Sequence, residues 1–262
     1  MKQISDNILI EDVFAGVVLG ALILKKGTLL IDAPLRPDDC RSWIAVLRNR
    51  AIGPERLLIN LDAHTDRALG KRIMDMPILA NRAVQEVYDK RSSVFKSQNA
   101  GSGEEWEDVS GLSGIRWLVP NLLYTESTVI NWDEFPVVLE QHPGPQNGAS
   151  WVVLPEQEVV FVGDLIMPNQ PPFLDQADID LWLESIDMLV SKKYRNYTVI
   201  NSRTGETVYD EIREFRRFLR DIQVRMERLA KKKSTPEATE NLIPRILSNI
   251  DFKPIFQHHY ED

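Results

Sequence analysis

"LINLDAHTDRALG", residues 58–70, changes character halfway along its length. An apolar run, Leu57-Leu58-Ile59, stops abruptly at three ionisable side chains spaced two apart, Asp62, His64 and Asp66, with Arg67 directly after them. On an extended chain, residues two apart share a face, so the end of a strand can offer all three groups to one point. A metal is the usual reason for such an arrangement. Arginine stays protonated and has no lone pair to give, so Arg67 stands where one more ligand would be useful.

The preceding sequence supplies the context. "GALILKKGTLLIDAP", residues 20–34, has two β-rich runs around Lys26-Gly27, a hairpin signal, and its second run ends at Asp32. "PDDCRSWIAVLRNR" then places Cys40, Trp43, Ile44 and Leu47 at helical spacing behind an aspartate cap. Gly53-Pro54 turns the chain into the short buried strand "ERLLINL". The opening therefore reads strand, strand, helix, strand, and the carboxyl end of a strand is where α/β proteins commonly build a site. "VFAGVVLGALIL", residues 13–24, is interrupted by Gly16 and Gly20 and falls short of the ~20 residues a bilayer demands. It reads as buried strand.

Downstream, "ANRAVQEVYDKR" is expected to be helical, and residues 97–111 form a polar, glycine-containing loop whose Trp106 is either a lid residue or a core anchor. Three to five strands are expected among "GIRWLV", "STVINW", "FPVVLEQ", "SWVVLP" and "EVVFVGD", the last two forming a hairpin around Pro155-Glu156-Gln157. A helix over 177–192 carries Ile179, Leu183, Ile186 and Val190 on one face, and "YTVIN" is another buried strand. A long helix from about 206 to 232 has a heptad-like seam, Ile212, Phe215, Leu219, Ile222, Met226 and Leu229. Its arginine-rich outer face reads as solvated and paired with Asp210, Glu214, Asp221 and Glu227. After Lys231-Lys232-Lys233 a proline and a capping pattern start a separate helix. The domain organisation is thus residues 1–232, followed by a helical extension over 233–262 that packs on them.

Composition narrows the function classes. The chain has 262 residues, 43% of them hydrophobic, enough for a substantial core, and a formal charge of -8. That acidic balance argues against surfaces built for nucleic acid or anionic lipid. The single cysteine, Cys40, excludes an internal disulfide and a cysteine-based zinc cluster. No charged region followed by an apolar core opens the chain, so a cytoplasmic location is the expectation.

The ordered set of features resembles the metallo-β-lactamase fold superfamily, over roughly residues 5–230. The set comprises a hairpin ending in Asp32, a helix, a strand ending in Asp-x-His-x-Asp, "HPGPQNGASWVVLPEQEVVFVGDLI" at 142–166, and a strand and loop "VINSRTG". The resemblance implies a four-layer αβ/βα sandwich with extra C-terminal helices. It also implies a site at seven positions, where the family's His-x-His-x-Asp-His becomes Asp62-Ala63-His64-Thr65-Asp66-Arg67. The family's Pro-Gly-His segment becomes Pro143-Gly144-Pro145, its bridging carboxylate is Asp164, and its last histidine falls at Arg203. Threaded with a small gap, Asn147 takes the place of Pro145. His64, Asp66 and Asp164 keep the family's residue type, and Asp62 remains able to coordinate. The family's dinuclear centre uses about five imidazoles. This chain has four histidines, of which His258 and His259 lie outside the resemblance and His142 is expected to be an ordinary hydrogen-bonded residue.

These residues lead to an expectation of a divergent family member with a largely lost dinuclear site and a non-hydrolytic ligand-binding or interaction role. The alternative is a mononuclear or metal-independent hydrolase acting on an anionic ester, thioester or phosphodiester. Asp62, His64 and Asp164 are the candidate metal ligands, for no ion or one divalent zinc, iron or manganese ion. His64 and Asp66 are the candidate catalytic pair, and Arg67, Arg203, Asn147 and Phe173 the candidate ligand-binding residues. An Arg–Asp network in place of the second metal is expected, since guanidiniums relieve repulsion among clustered carboxylates. A small anionic molecule is the expected partner, and a homo-oligomer through the 212–229 seam stays open.

Overall fold

The computed structural model describes residues 1–14, 16–96, 109–146, 148–242 and 244. Trp106, read as a lid residue or a core anchor, Asn147, His258 and His259 lie outside them, as does most of the helix expected after residue 233.

Seven strands build the first sheet in chain order: β1 (Lys2–Ser5), β2 (Ile8–Glu11), β3 (Leu19–Ile23), β4 (Gly27–Ile31), β5 (Glu55–Asn60), β6 (Ile78–Asn81) and β7 (Leu122–Tyr124). Hairpin pairing runs antiparallel through β4, after which β4, β5, β6 and β7 are parallel. The parallel steps need crossovers, supplied by α1 (Pro37–Arg48) between β4 and β5 and by α2 (Arg82–Lys90) after β6. The second sheet holds β8 (Ser127–Ile130), β9 (Val137–Gln141), β10 (Ser150–Leu154), β11 (Val159–Gly163), β12 (Thr198–Asn201) and β13 (Gly205–Thr207). Its one parallel pair, β11 with β12, is bridged by α3 (Ile179–Leu189), and α4 (Tyr209–Lys231) follows β13.

Three apolar clusters set the layers. Ile31, Ile59, Leu139, Val152 and Phe161 meet between the sheets, Trp43, Cys40 and Leu47 of α1 cover the outer face of the first, and Trp182, Ile186, Phe215 and Leu219 cover the second. The result is the four-layer αβ/βα sandwich. It places the carboxyl ends of β4, β5, β11 and β12 side by side. Among the described residues no helix is long and apolar enough to cross a membrane.

Several elements differ from the sequence reading. β1 and β2 precede the foreseen opening, because "KQIS" is exposed at an edge and carries little apolar signal. In "VFAGVVLGALIL" only Leu19–Ile23 is strand, since Gly16 takes φ 71° and turns the chain. Helix α1 has Arg36 at its N-cap with no side-chain cap bond, and Pro37 supplies the start that was ascribed to aspartate. "GIRWLV" contributes a single bridge, Arg116 with Val94, and the real edge strand is β7. Helix α4 starts at Tyr209, because Gly205–Thr207 pairs with β12. Its seam is buried from Ile212 to Ile222, while Met226 is exposed.

One glycine fits the sheets together. A Cβ on Gly20 of β3 would lie 2.7 Å from the Phe161 ring and 3.0 Å from Ile31, so the missing side chain is the socket for Phe161 from the opposite sheet. Gly20→Ala is expected to cost about 1–3 kcal/mol in urea unfolding, as over-packing does, and Phe161→Leu in the same chain should recover part of it. Equal stability of Gly20→Ala and the unaltered protein would refute this packing.

Candidate functional site

The loop after β5 folds back on the strand end. Asp62 Oδ1 accepts the His64 backbone N–H at 2.8 Å, an Asx-type turn, and Thr65–Arg67 form one short 3-10 turn. Asp32, directly after β4, takes φ 58° and accepts the Leu61 N–H at 3.0 Å, tying the two strand ends together. From the second sheet, Gly163 takes φ 62° and delivers Asp164. After β12, Asn201 Oδ1 accepts the backbone N–H groups of Arg203 and Thr204 at 2.7 and 2.8 Å, which fixes the loop carrying Arg203.

These loops bring Asp62, His64, Asp66, Arg67, Asp164 and Arg203 together, and all six are buried. Arg203 grips Asp164 with two nitrogens, Nε to Oδ1 at 2.6 Å and Nη2 to Oδ2 at 2.5 Å. Its Nη1 donates to Asp66 Oδ2 and, at 2.8 Å, to the Gly16 carbonyl. Arg67 lies behind, its Nη2 against Asp164 Oδ2, its Nε 3.4 Å from Asp62 and 3.6 Å from Asp66, and its Nη1 donating to Asp32 Oδ2 at 3.4 Å. Neither Nε nor Nη2 of Arg67 aims an N–H at an acceptor, so those contacts are ionic rather than directed bonds. His64 Nδ1 lies 2.7 Å from Asp66 Oδ1 and 3.5 Å from Arg203 Nη2. The shorter contact decides the tautomer, because an ionised Asp66 can only accept, so Nδ1 carries a proton.

Phe173 closes one side. Its ring stacks on the His64 imidazole, with centroids 4.5 Å apart and an 18° interplanar angle, and lies 5.0 Å from the Arg203 guanidinium carbon.

The charges sort themselves by partner. Burial alone would raise every carboxyl here. At Asp66 that cost is outweighed by Arg203, His64 and Arg67, and at Asp164 by Arg203 and Arg67, so both lie below the usual carboxylate range. Asp62 is raised, since burial and the nearby Asp164 exceed what Arg67 returns. Burial also pushes Asp32 up to about 7 against the pull of Arg67. Two guanidiniums facing two firmly ionised carboxylates make a neutral set.

Sequence reasoning missed the support beneath this set. Lys71 is fully buried, donates from Nζ to Asn60 Oδ1 at 2.5 Å and to the Tyr88 hydroxyl at 3.1 Å, and is lowered to about 7 by burial. Only its closeness to Arg67 in the chain hinted at this, and a lysine in a polar-looking segment is normally solvated. His142 stacks on Trp151 and lies 3.0 Å from Glu140 through Nε2.

The donor set does not fit the family's metal centre. Among the described residues no group of three or more His, Cys, Asp or Glu is arranged to hold an ion. The oxygens that would coordinate are spread around guanidiniums instead.

The metallo-β-lactamase superfamily model matches residues 73–197, a span that includes Asp164 and omits both the 62–67 loop and Arg203. No curated protein sequence matches the chain significantly. Among solved structures, a double mutant of the sec-alkyl sulfatase PisA1 superposes with a TM-score of 0.69 at 14% identity, covering 98% of this chain and 50% of that one. The stereoselective inverting sec-alkylsulfatase Pisa1 from Pseudomonas sp. gives 0.68 at 13%, covering 89% and 43%. The chain thus spans about half the length of these sulfatases. A metallo-β-lactamase from Pontibacter korlensis gives 0.61 at 16%, covering 84% and 97%.

The raised Asp32 fixes a sign. Folded protein keeps its proton up to about 7, whereas the unfolded chain loses it near 3.8, so Asp32's contribution to stability falls as pH rises through that window. Asp32→Asn removes this term. The stability of Asp32→Asn relative to the unaltered protein should therefore climb between about pH 4 and 7 and level off above, measured by urea unfolding across pH. Parallel pH profiles would contradict the burial of an ionisable Asp32.

Proposed function

We propose that this member of the metallo-β-lactamase fold superfamily does not act as a metal-dependent hydrolase at its strand-end centre, and that it keeps the fold as a ligand-binding or interaction protein. The observation that carries this reading is the Arg203 guanidinium bound to both oxygens of Asp164 and to Asp66, with Arg67 behind it. Hydrolysis in the manner of the family needs a hydroxide held and acidified by a cation. A guanidinium supplies positive charge but has no open coordination position, so it cannot bind water covalently enough to make it a nucleophile at neutral pH. His64 is committed through Nδ1 to Asp66, and Phe173 lies flat on its ring. The geometry therefore favours a centre that holds the protein together over one that turns a substrate over.

Arg67 and Arg203 had also been candidates for gripping a small anion. Their charge is directed at Asp164, Asp66 and Asp62, which supports placing any ligand or partner away from this centre. The names of the structural neighbours make sulfate esters and β-lactams the informative substrates to try, beside esters, lactones, thioesters and phosphodiesters.

Elemental analysis of protein purified without chelator, joined to that panel, tests the reading. Far less than one equivalent of zinc, iron or manganese is expected, with no turnover above that of the His64→Ala variant. One or more equivalents lost in Asp164→Ala, together with turnover abolished in His64→Ala, would establish the hydrolase instead.

A further inference from the structure

The Arg203 guanidinium is the meeting point of three residues that could each ligate a metal. It contacts Asp164 through both oxygens, Asp66 through Oδ2, and His64 Nδ1 at 3.5 Å. All three donors are buried, His64 and Asp66 on the one turn after β5 and Asp164 at the end of β11. Arg203 itself reaches them from a loop fixed by Asn201, and when its guanidinium is removed Arg67 still ties the turn after β5 to Asp164 at the end of β11. One imidazole nitrogen and two carboxylates suit a borderline divalent ion such as Zn²⁺ or Mn²⁺.

We infer that Arg203 is a covalently tethered cation that blocks a latent single-ion site formed by His64, Asp66 and Asp164. This rests on the reading above that the guanidiniums hold the centre, and it adds that one of them alone excludes a metal. Truncating Arg203 leaves two ionised carboxylates facing each other across the vacated space, with Arg67 their remaining cation. A divalent ion entering there restores the lost charge, and His64 ligates it through Nδ1 as the neutral tautomer that carries its proton on Nε2. Arg203→Lys keeps a tethered charge in the same place and leaves the site blocked.

The test compares the unaltered protein, Arg203→Ala and Arg203→Lys, each expressed and refolded with and without added Mn²⁺ or Zn²⁺, by thermal unfolding and by metal content after desalting. Arg203→Ala should retain close to one equivalent, and its Tm should rise by roughly 5–10 °C at a hundredfold excess of metal over Kd. The other two should retain none and show no such rise. If Arg203→Ala folds poorly alone, recovery of folded protein by the metal is the same result. Arg203→Ala that gains neither metal nor stability, folded or not, overturns the inference. Metal in the unaltered protein would defeat the earlier reading of the centre, which is a separate outcome.

Discussion

Two arginines buried among four aspartates are the constraint on which the rest of this structure depends. Taking charges out of water costs several kcal/mol per ion, and only dense pairing returns it. Arg203 achieves this by binding Asp164 through two nitrogens and sharing a third with Asp66 and the Gly16 carbonyl. These partners come from both sheets, so the charge cluster works as a clamp across the sandwich at the edge where the inter-sheet apolar core ends. The same clamp explains the backbone around it. Positive φ at Asp32 and Gly163 turns carboxylates inward from the ends of β4 and β11, and Asn201 spends its amide on the loop that aims Arg203.

The chemistry of the site follows from the same balance. A divalent ion and a guanidinium both neutralise carboxylates, but only the ion keeps an open position for water. A guanidinium in such a place gives the carboxylates their electrostatic support without that open position. Phe173, lying over both His64 and Arg203, adds an apolar cover that strengthens the enclosed ion pairs by keeping water out.

Much of this was legible in the sequence because strand ends are marked by abrupt changes of character. "LINLDAHTDR" and "VVFVGD" each show an apolar run stopping at charge, and their order identified the sandwich. The grouping of Asp62, His64, Asp66 and Arg67 showed in their local spacing, whereas their meeting with Asp164 and Arg203 followed from the element order of the resemblance. What stayed hidden has physical reasons. β1 is an edge strand with little apolar signal. "GIRWLV" looks like a strand but makes only a bridge at Arg116. Lys71 gave no sign that it would be buried, because its partners Asn60 and Tyr88 are ordinary residues in unrelated elements. Asp32 was visible as a strand-end residue, but its raised proton affinity arises from burial that only the folded chain supplies.

The most direct measurement is a double-mutant cycle on Arg203 and Asp164, using Arg203→Met, Asp164→Leu and the pair, with stability read from urea unfolding at neutral pH. Each single change strands a buried charge and is predicted to cost about 3–5 kcal/mol. The double variant, with no stranded partner between the two positions, is predicted to cost less than the sum by about 2 kcal/mol or more. Additive costs would mean that the two side chains do not form the clamp across the sheets.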